Sequence, residues 1–531
     1  MNPHRAQQDT APQDTAAHDG RGQEREGLGR RRFLGLCAGA AGLGAATACE
    51  RTTAVHPPSA VDGRLPEAER GRPGTRDWRL GSAGPVDAVA GYTDRVSLTS
   101  GEECGLHVST TASSFRVSAF RVGWYGGTYA RLVWRSERVP GRTGPAGRTV
   151  PATRTVRADW PRTLSFGTEG WPEGAYLIRL DADNGHQRYV PLIVRSTRGT
   201  GRTVLMHAPA TWQAYNKWGG HSLYEGPSGY ADRSLAVSFD RPYDGNGAEK
   251  FLVYEWAAVV LAERLGIPLA YTTGTDVHRD PGVLHGAAAV VCLGHDEYWT
   301  PEQRRRVTEA RDAGTNVAFL GANTCFRRVR LEAGEAGADR TVVCYKSAYR
   351  SDPCYPSRPA LVTTDFRQEP AADPESSLTG VLYEGYPVDA PYVVHAADHW
   401  VYEGTGVRPG ESFDHLVGVE YDRVTPGAPA PGALEITAHS PVVCAGRRSH
   451  SDSAYYTVPS GAGVFATGTM RWVEALLAGT GELGRDHSMD ARTRAFTART
   501  TENLLCAFSA GPAARHRPAP RPNAQEVYRT V

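Results

Sequence analysis

The chain has 531 residues, of which 59 are basic and 58 are acidic. This balance provides no global electrostatic field that would attract nucleic acid or an acidic partner. The length is sufficient for two or three domains with hydrophobic cores, and the 59 glycines and 36 prolines indicate many turns and a sizeable β component.

The N-terminal region has the features of an export signal. The segment GRRRFLG at 29–35 leads into an apolar stretch of small residues that ends at Ala48, and this stretch is too short to span a bilayer as a mature helix. Paired arginines followed by Phe-Leu resemble a twin-arginine signal, and Ala46-Thr47-Ala48 fits a cleavage site. Cys49 also fits a lipoprotein acceptor. The sequence therefore predicts a protein that is secreted or lipid-anchored on the outer face of the cytoplasmic membrane, with the lipidation of Cys49 left open.

Composition and periodicity divide the chain into segments with different predicted structures. From 77 to 198, short runs alternate apolar and polar residues with Gly and Ser breaks, which predicts a β-sandwich. Polar stretches with Pro and Gly outside the folded regions predict linker or disorder. The predicted segments are a disordered leader and signal at 1–49, a linker at 50–76, a β-sandwich at 77–198, an α/β domain at 199–508 and a disordered tail at 509–531.

From residue 199 onward, short apolar runs are separated by segments with helical periodicity. RTVLMHAP, HGAAAVVCLG and TNVAFLGAN are typical of buried strands. The stretch 249–266 places apolar residues at helical spacing and ends in Gly, which predicts one continuous helix with a C-cap. The stretch 300–314 predicts a helix capped by Thr300. This alternation of strands and helices favours a parallel α/β layer.

Polar side chains follow two of these strands directly. CLGHDEYW places His295 and Glu297 after one strand, and FLGAN places Asn323 after another. Ligands collect at the carboxyl ends of parallel strands, and residues i and i+2 of an extended chain point to the same side. His295 and Glu297 therefore suit acid–base work or metal binding, although the same pattern is also typical of a strand end that only meets water.

Two further features have weaker interpretations. Glu420 and Asp422 in VEYDR fit either the lining of a pocket or surface charges paired with Arg423, and the surface interpretation is favoured. Among the cysteines beyond the signal, Cys344 and Cys354 are the best candidates for a local disulfide.

Several motifs together resemble one known family. AYNKWGGHSLYE, GHDEYW, FLGAN, FRVGWYGG and GTMRW look like the large (beta) subunit of N,N-dimethylformamidase and its C-terminal domain, over roughly residues 113–508. The resemblance implies a β-sandwich packed on an α/β region related to class I glutamine amidotransferases. It also implies one mononuclear iron site, with two tyrosines and one glutamate as ligands and a histidine and an asparagine close by.

The resemblance assigns roles to particular residues of this chain. Those that match the metal ligands are Tyr176, Tyr215 and Glu297. Tyr125 in GWYGG is an alternative to Tyr176, while His295 and Asn323 match the two neighbouring catalytic residues. Fe3+ prefers anionic oxygen ligands, and three protein ligands leave positions for water and a substrate carbonyl. The implied activity is hydrolysis of the C–N bond of a small linear amide.

Two aspects of the sequence leave alternatives open. The family's enzyme works with a separate small subunit, and an export signal is not expected for an amidase of small solvents, so the substrate, a second subunit and a homo-oligomeric state stay open. The alternative function is a non-catalytic exported binding lipoprotein, for example one that binds carbohydrate. It would use the β-sandwich and the aromatic loop 212–224, with Trp212, Trp218, Trp299 and Tyr224 as stacking rings.

Overall fold

The computed structural model describes residues 67–482 and 487–529, which fall in one compact unit. The predicted leader, the export signal and Cys49 lie outside the described residues. None of the helices in these two described ranges is long and apolar enough to cross a membrane.

The region predicted as a β-sandwich consists of short, mostly antiparallel strands. The core between its sheets includes Val117, Ile178 and Leu192, all of which are buried. After helix α1 (Glu67–Arg70), the strands are β1 (Val89–Thr93), β2 (Ser97–Leu98), β3 (Glu103–Thr110), β4 (Ser114–Val122), β5 (Ala130–Arg135), β6 (Val139–Pro140), β7 (Arg148–Val150), β8 (Thr155–Arg157), β9 (Leu164–Gly167), β10 (Gly174–Ala182) and β11 (Gln187–Val194).

The predicted linker 50–76 is partly folded against this sandwich. Glu69, just before the end of α1, is buried and accepts a hydrogen bond from the Tyr125 hydroxyl at 2.7 Å. Arg131 donates two hydrogen bonds to the same carboxylate, both at 2.8 Å. The prediction of a linker is therefore wrong for its described end, because a paired buried carboxylate holds it in place.

A mixed sheet forms the centre of the α/β region, and its strand order is β14-β12-β15-β17-β26-β25-β24. Neighbours from β14 to β26 are parallel, and the remaining pairs are antiparallel. The strands of the region are β12 (Thr203–His207), β13 (Ala236–Ser238), β14 (Leu269–Thr273), β15 (Ala289–Cys292), β16 (Tyr298–Trp299), β17 (Asn316–Phe319), β18 (Arg327–Arg328), β19 (Arg330–Gly334), β20 (Gly337–Val343), β21 (Thr364–Asp365), β22 (Leu382–Val393), β23 (Ser412–Arg423), β24 (Leu434–Cys444), β25 (Arg447–Thr457) and β26 (Gly463–Ala466).

The predicted helix start at Thr300 is confirmed, whereas the predicted continuous helix over 249–266 is wrong. The Thr300 hydroxyl accepts a hydrogen bond from the Gln303 N–H at 3.1 Å, so α6 begins with the predicted cap. The single helix predicted over 249–266 is divided at Glu255, whose φ of −129° is not helical. The helices after α1 are α2 (Pro209–Tyr215), α3 (Glu249–Tyr254), α4 (Trp256–Leu265), α5 (Gly274–Arg279), α6 (Pro301–Asp312), α7 (Ser376–Thr379), α8 (Trp472–Ala475), α9 (Ala491–Ser509) and α10 (Ala524–Arg529).

One hydrophobic core connects the sandwich with the α/β region. Phe120 of β4 and Leu177 of β10 belong to the same buried cluster as Trp256 and Val259 of α4 and Leu504 of α9. Because this apolar area is shared, separating the two parts would expose it to water.

The C-terminal segment covers the edge of the central sheet. Asn523 accepts a hydrogen bond from the Ile436 N–H at 2.7 Å and donates one to its carbonyl at 2.9 Å, which pairs the backbone of the edge strand β24. Tyr528 donates to the Asp452 carboxylate, and Val527 is buried. The predicted disordered tail at 509–531 is therefore wrong for its described part, because it satisfies the exposed groups of an edge strand.

The cysteines do not form the predicted disulfide. All seven cysteines in the described part of the chain are free thiols. Cys344 packs in a small apolar cluster with Val237 and Tyr298, so its side chain is occupied in packing rather than in a bond to Cys354.

Two glycines allow the ends of β15 and β17 to approach each other closely. A Cβ atom on Gly321 would lie 1.9 Å from the Gly294 carbonyl oxygen, and one on Gly294 would lie 2.1 Å from the Tyr254 carbonyl oxygen. Gly294 also has a φ of +43°, which side chains with a Cβ rarely adopt. Glycine at both positions therefore brings the polar segments after the two strands together.

We expect Gly321→Ala to lower the free energy of unfolding by about 1–3 kcal/mol, because the added methyl group must displace backbone. Urea denaturation measures this change. Gly81→Ala is the matched control, since a Cβ atom there meets only the Gln187 side chain at 3.7 Å. Equal stability of the two variants would contradict the close approach.

Candidate metal centre

The centre of the candidate site is the carboxylate of Glu297, between β15 and β16, which is 1% exposed. Tyr215 donates its hydroxyl to Oε2 at 2.7 Å. Tyr224 lies within 2.8 Å of Oε1 and 2.7 Å of Oε2, and the Nε of Arg327 lies 3.3 Å from Oε1. The backbone N–H of Glu297 donates to the Thr211 hydroxyl at 3.1 Å, so both ends of the residue are held.

The two tyrosines also contact each other. Their hydroxyl oxygens are 2.9 Å apart and their rings stack at 4.5 Å. Burial, followed by the charge of Glu297, raises the pKa of Tyr215 and of Tyr224 well above the usual value for a phenol. Both are therefore neutral donors to the carboxylate as long as no cation replaces their protons.

His295 lies on the same side of the chain as Glu297, as the i, i+2 spacing predicts. Its Nε2 is 3.7 Å from the Oε2 of Glu297. The imidazole packs against the ring of Tyr215 at 5.2 Å and the ring of Tyr254 at 5.4 Å. The ring is thus held between two aromatic side chains, with one nitrogen near the carboxylate.

Asn323, after β17, is held by two carboxylates of β23. Its backbone N–H donates to Asp422 at 2.7 Å, and its Nδ2 donates to Glu420 at 2.8 Å. Its φ of +59° is unusual but tolerated by asparagine. The Oδ1 atom is buried and has no hydrogen-bond partner among the described residues, so a buried acceptor remains beside the site.

The interpretation of Glu420 and Asp422 as surface charges is wrong, because both are buried. Burial, followed by the charge of Glu297, raises the pKa of Glu420 well above its usual value. Burial also raises the pKa of Asp422 to about 7, although the N–H of Asn323 opposes this shift. Their i, i+2 spacing, which also occurs at His295 and Glu297, was the signal that they face one site.

The structure does not bring Tyr176 to this cluster. Its hydroxyl donates to the Pro172 carbonyl at 2.7 Å, and its ring stacks on Trp171 at 5.1 Å inside the sandwich core. The alternative, Tyr125, contacts Glu69 and Arg121 instead. Tyr224, from the aromatic loop, takes the place beside Glu297 that was expected for either of them, because the chain after α2 turns back toward the carboxylate.

Two basic residues that the motifs did not predict border the oxygen cluster. Arg327 pairs with both Glu297 and Asp365. Lys346 is fully buried, and its Nζ lies 3.1 Å from the centroid of the Tyr224 ring. Burial lowers the pKa of Lys346 well below its usual value. A signal for Lys346 exists in the composition, since only three of the 59 basic residues are lysines.

The oxygen atoms of Tyr215, Tyr224 and Glu297 have the spacing of ligands around one cation. Their separations are 2.7–2.9 Å, and oxygen ligands about 2 Å from a metal at right angles lie about 2.8 Å apart. Within the described residues, no group of three or more His, Cys, Asp or Glu side chains is arranged to hold a metal ion. A metal bound here would therefore need the hydroxyl oxygens of the two tyrosines beside the Glu297 carboxylate. Because all of these ligand atoms are oxygens, they suit a hard cation.

The comparisons with known proteins agree with the motifs. The family described as N,N-dimethylformamidase beta subunit-like, C-terminal, matches residues 116–485. Because this match covers more than half of the chain, the protein belongs to that family. No curated protein matches the chain.

Among solved structures, a cycloisomaltooligosaccharide glucanotransferase from Paenibacillus sp., complexed with cycloisomaltoheptaose, is 12% identical over 22% of this chain and 15% of that chain, with a TM-score of 0.14. A similarity this low supports no conclusion about the fold or the function of this protein.

We expect Asp422→Asn to gain stability relative to the wild type as pH rises from about 4 to 7. The unfolded carboxyl ionises near pH 4 and the folded one near pH 7, so in this window the unfolded state has released a proton that the folded state retains, and the wild type loses stability. The relative gain reaches about 4 kcal/mol.

Urea denaturation of both proteins across this pH range measures the gain. The amide oxygen of the substituted side chain can still accept from the Asn323 N–H, so the bond itself is retained. Asp414→Asn, on the exposed side of the same strand β23, is the control. A pH-independent difference between Asp422→Asn and the wild type would contradict the burial of an ionisable group at this position.

Proposed function

We propose that this member of the N,N-dimethylformamidase beta subunit-like family is an exported, metal-dependent hydrolase of a C–N amide bond. The ligands of one Fe3+ ion would be Tyr215, Tyr224 and Glu297. The observation that carries the proposal is the triangle of oxygen atoms from Tyr215, Tyr224 and Glu297, which lie 2.7–2.9 Å apart. Tyr224 replaces Tyr176 in the proposed ligand set, since the Tyr176 hydroxyl is engaged inside the sandwich.

The charges of these ligands suit a trivalent cation. Two phenolates and one carboxylate supply three negative charges, and anionic oxygen is the preferred donor of Fe3+. Tyr215 and Tyr224 would release their hydroxyl protons, and the buried site would then carry no net charge from the ion and its ligands, which limits the cost of burial. A bound Fe3+ supplies Lewis acidity, which polarises an amide carbonyl and makes a water molecule more acidic.

The chain's own residues would handle the proton and orient the substrate. The Nε2 of His295, close to the carboxylate of Glu297, would take a proton from the attacking water and return it to the leaving amine. The Oδ1 of Asn323 would accept a hydrogen bond from water or from a substrate N–H, because its Nδ2 is held by Glu420. Burial of the cluster excludes bulk water and strengthens these interactions.

The finer features of the predicted architecture are part of the same proposal. The parallel order from β14 to β26, with the site at the carboxyl ends of β15 and β17, supports a relationship to class I glutamine amidotransferases. The sequence at 29–49 supports export by the twin-arginine route, with lipidation of Cys49 as one outcome. The beta-subunit-like family description supports an assembly with a further subunit.

The alternative, a carbohydrate-binding lipoprotein, has less support. Trp212 is buried and donates its indole N–H to Glu255 at 2.7 Å, and Tyr224 is buried against Tyr215. Trp218 packs edge-on against Trp160 at 5.6 Å. Rings that are engaged inside the protein are not a platform for stacking on a sugar.

We expect Tyr215→Phe and Tyr224→Phe to lose bound iron, because each removes one of three protein ligands. Purified wild-type protein should contain about one iron per chain and show a broad visible charge-transfer band from its tyrosinates. Elemental analysis and visible spectroscopy measure both properties. Tyr176→Phe is the matched control, since it removes a buried tyrosine hydroxyl at a different position. Iron loss in this control and in Tyr215→Phe, with retention in Tyr224→Phe, would restore the original ligand assignment.

We expect His295→Gln to lower kcat for amide hydrolysis by about 10²–10⁴-fold while iron stays bound, because the variant removes proton transfer but no ligand. Amine release from a simple amide measures the rate. His399→Gln, at another buried histidine, is the control. Unchanged turnover in His295→Gln would refute the acid–base role, and loss of iron would make His295 a ligand.

A further inference from the structure

A second buried carboxylate, Glu255, lies outside the oxygen cluster, at the break between α3 and α4. It is fully buried. Its Oε2 lies 2.5 Å from the Nδ1 of His207, and its Oε1 accepts hydrogen bonds from the Trp212 indole at 2.7 Å and from the Ala208 N–H at 3.2 Å. A buried carboxylate with this many donors holds them in one arrangement, since losing a donor would leave charge uncompensated.

These three donors lie where the chain passes from the central sheet into α2. His207 is the last residue of β12, Ala208 precedes α2, and Trp212 lies within it. No side chain of the neighbouring sequence caps α2. Glu255, nearly fifty residues later in the chain, therefore satisfies the first N–H of this turn and holds the helix by its tryptophan.

Helix α2 in turn sets the contact between Tyr215 and Glu297. Tyr215 is the last residue of α2 and donates its hydroxyl to the Glu297 carboxylate. The Thr211 hydroxyl, one turn earlier, accepts from the N–H groups of Glu297 at 3.1 Å and Tyr298 at 3.3 Å. A shift of α2 would therefore move the phenol and the backbone of the carboxylate together.

The helix break at Glu255 also delivers the residue before it to the site. Tyr254 packs its ring against His295 at 5.4 Å. Its carbonyl oxygen lies where a Cβ atom on Gly294 would come within 2.1 Å. Tyr254, the last residue of α3, therefore contacts both segments at the point where the helix breaks.

We propose that Glu255 is a positioning residue of the candidate metal centre, an inference that rests on the proposed function. By binding His207, Ala208 and Trp212, it places α2 so that Tyr215 and Glu297 meet at ligand spacing. Its position in the helix break also holds Tyr254 against His295. It does not itself touch the oxygen cluster.

Glu255→Gln tests this role, because it keeps the size of the side chain but presents an amide N–H₂ to one of the present donors. Glu263→Gln is the matched control. Glu263 is a buried glutamate of α4 that hydrogen-bonds to Arg121 of β4 and Tyr271 of β14, and not to the three donors that Glu255 binds. Both variants are compared with the wild-type full-length protein for unfolding free energy, iron affinity, the charge-transfer band and kcat and KM.

We expect Glu255→Gln to weaken iron affinity and lower kcat by about 10–100-fold, the range seen when groups behind a metal ligand are changed. Its charge-transfer band should shift while KM stays near the wild-type value. In Glu263→Gln, stability falls but the band and kcat of the iron-loaded protein stay unchanged. Trp212→Phe removes the hydrogen bond from the Trp212 indole to Glu255. Because both variants break this bond, the double variant should lose less iron affinity than the sum of the losses in the two single variants.

Amide hydrogen exchange provides a readout without metal. The N–H groups of Glu297 and Tyr298, which donate to Thr211, should exchange at least about tenfold faster in Glu255→Gln but not in Glu263→Gln. If Glu255→Gln does not fold, Trp212→Phe carries the same measurements with a smaller effect.

The outcomes separate the two proposals. If the purified wild-type protein contains no iron and shows no charge-transfer band, the proposed function is wrong. The hydrogen-exchange rates alone then decide whether Glu255 positions Glu297. If the wild type contains iron but Glu255→Gln has the same iron affinity, charge-transfer band, kcat and amide exchange rates, the positioning role is overturned. Equal effects in Glu255→Gln and Glu263→Gln overturn it as well, because they would show a general loss of stability.

Discussion

The burial of the Glu297 carboxylate is the constraint on which the rest of the site depends. An ion 1% exposed to water is stable only with donors placed around it. The protein brings Tyr215 from α2, Tyr224 from the following loop and Arg327 from β18. None of these is adjacent to Glu297 in the sequence, so the helix, the loop and the strand must all be in place before the carboxylate has all three partners.

The surrounding architecture serves this convergence at several levels. Gly294 and Gly321 let the ends of two parallel strands touch through their backbones, and the polar segments that follow therefore emerge together. After the second of these strands, Glu420 and Asp422 of β23 accept hydrogen bonds from Asn323, whose φ is positive. Strained and buried polar groups of this kind persist only where neighbouring structure over-determines them, and they concentrate at functional sites.

The local part of this arrangement was predictable. The strands before His295 and Asn323 are apolar runs, and the i, i+2 rule places His295 beside Glu297 because it depends only on an extended backbone. The Thr300 cap is equally local. The break at Glu255 was not predictable, because apolar periodicity continues through it and the cause is a set of donors in β12 and α2. Tertiary interactions of this kind routinely override helix propensity.

The family, the parallel strands and the residues that follow them can be read from the amino-acid sequence, since motifs and periodicity are properties of short segments. Which tyrosine meets Glu297 depends on the three-dimensional fold, because Tyr176 in β10 and Tyr224 in the loop after α2 are equally suitable by residue type. Tyr176 is held by a carbonyl four residues away inside the sandwich, whereas Tyr224 reaches a carboxylate 73 residues later. The path of the loop that carries Tyr224 depends on which buried polar groups its residues can hydrogen-bond. The positions of those groups depend on the whole fold.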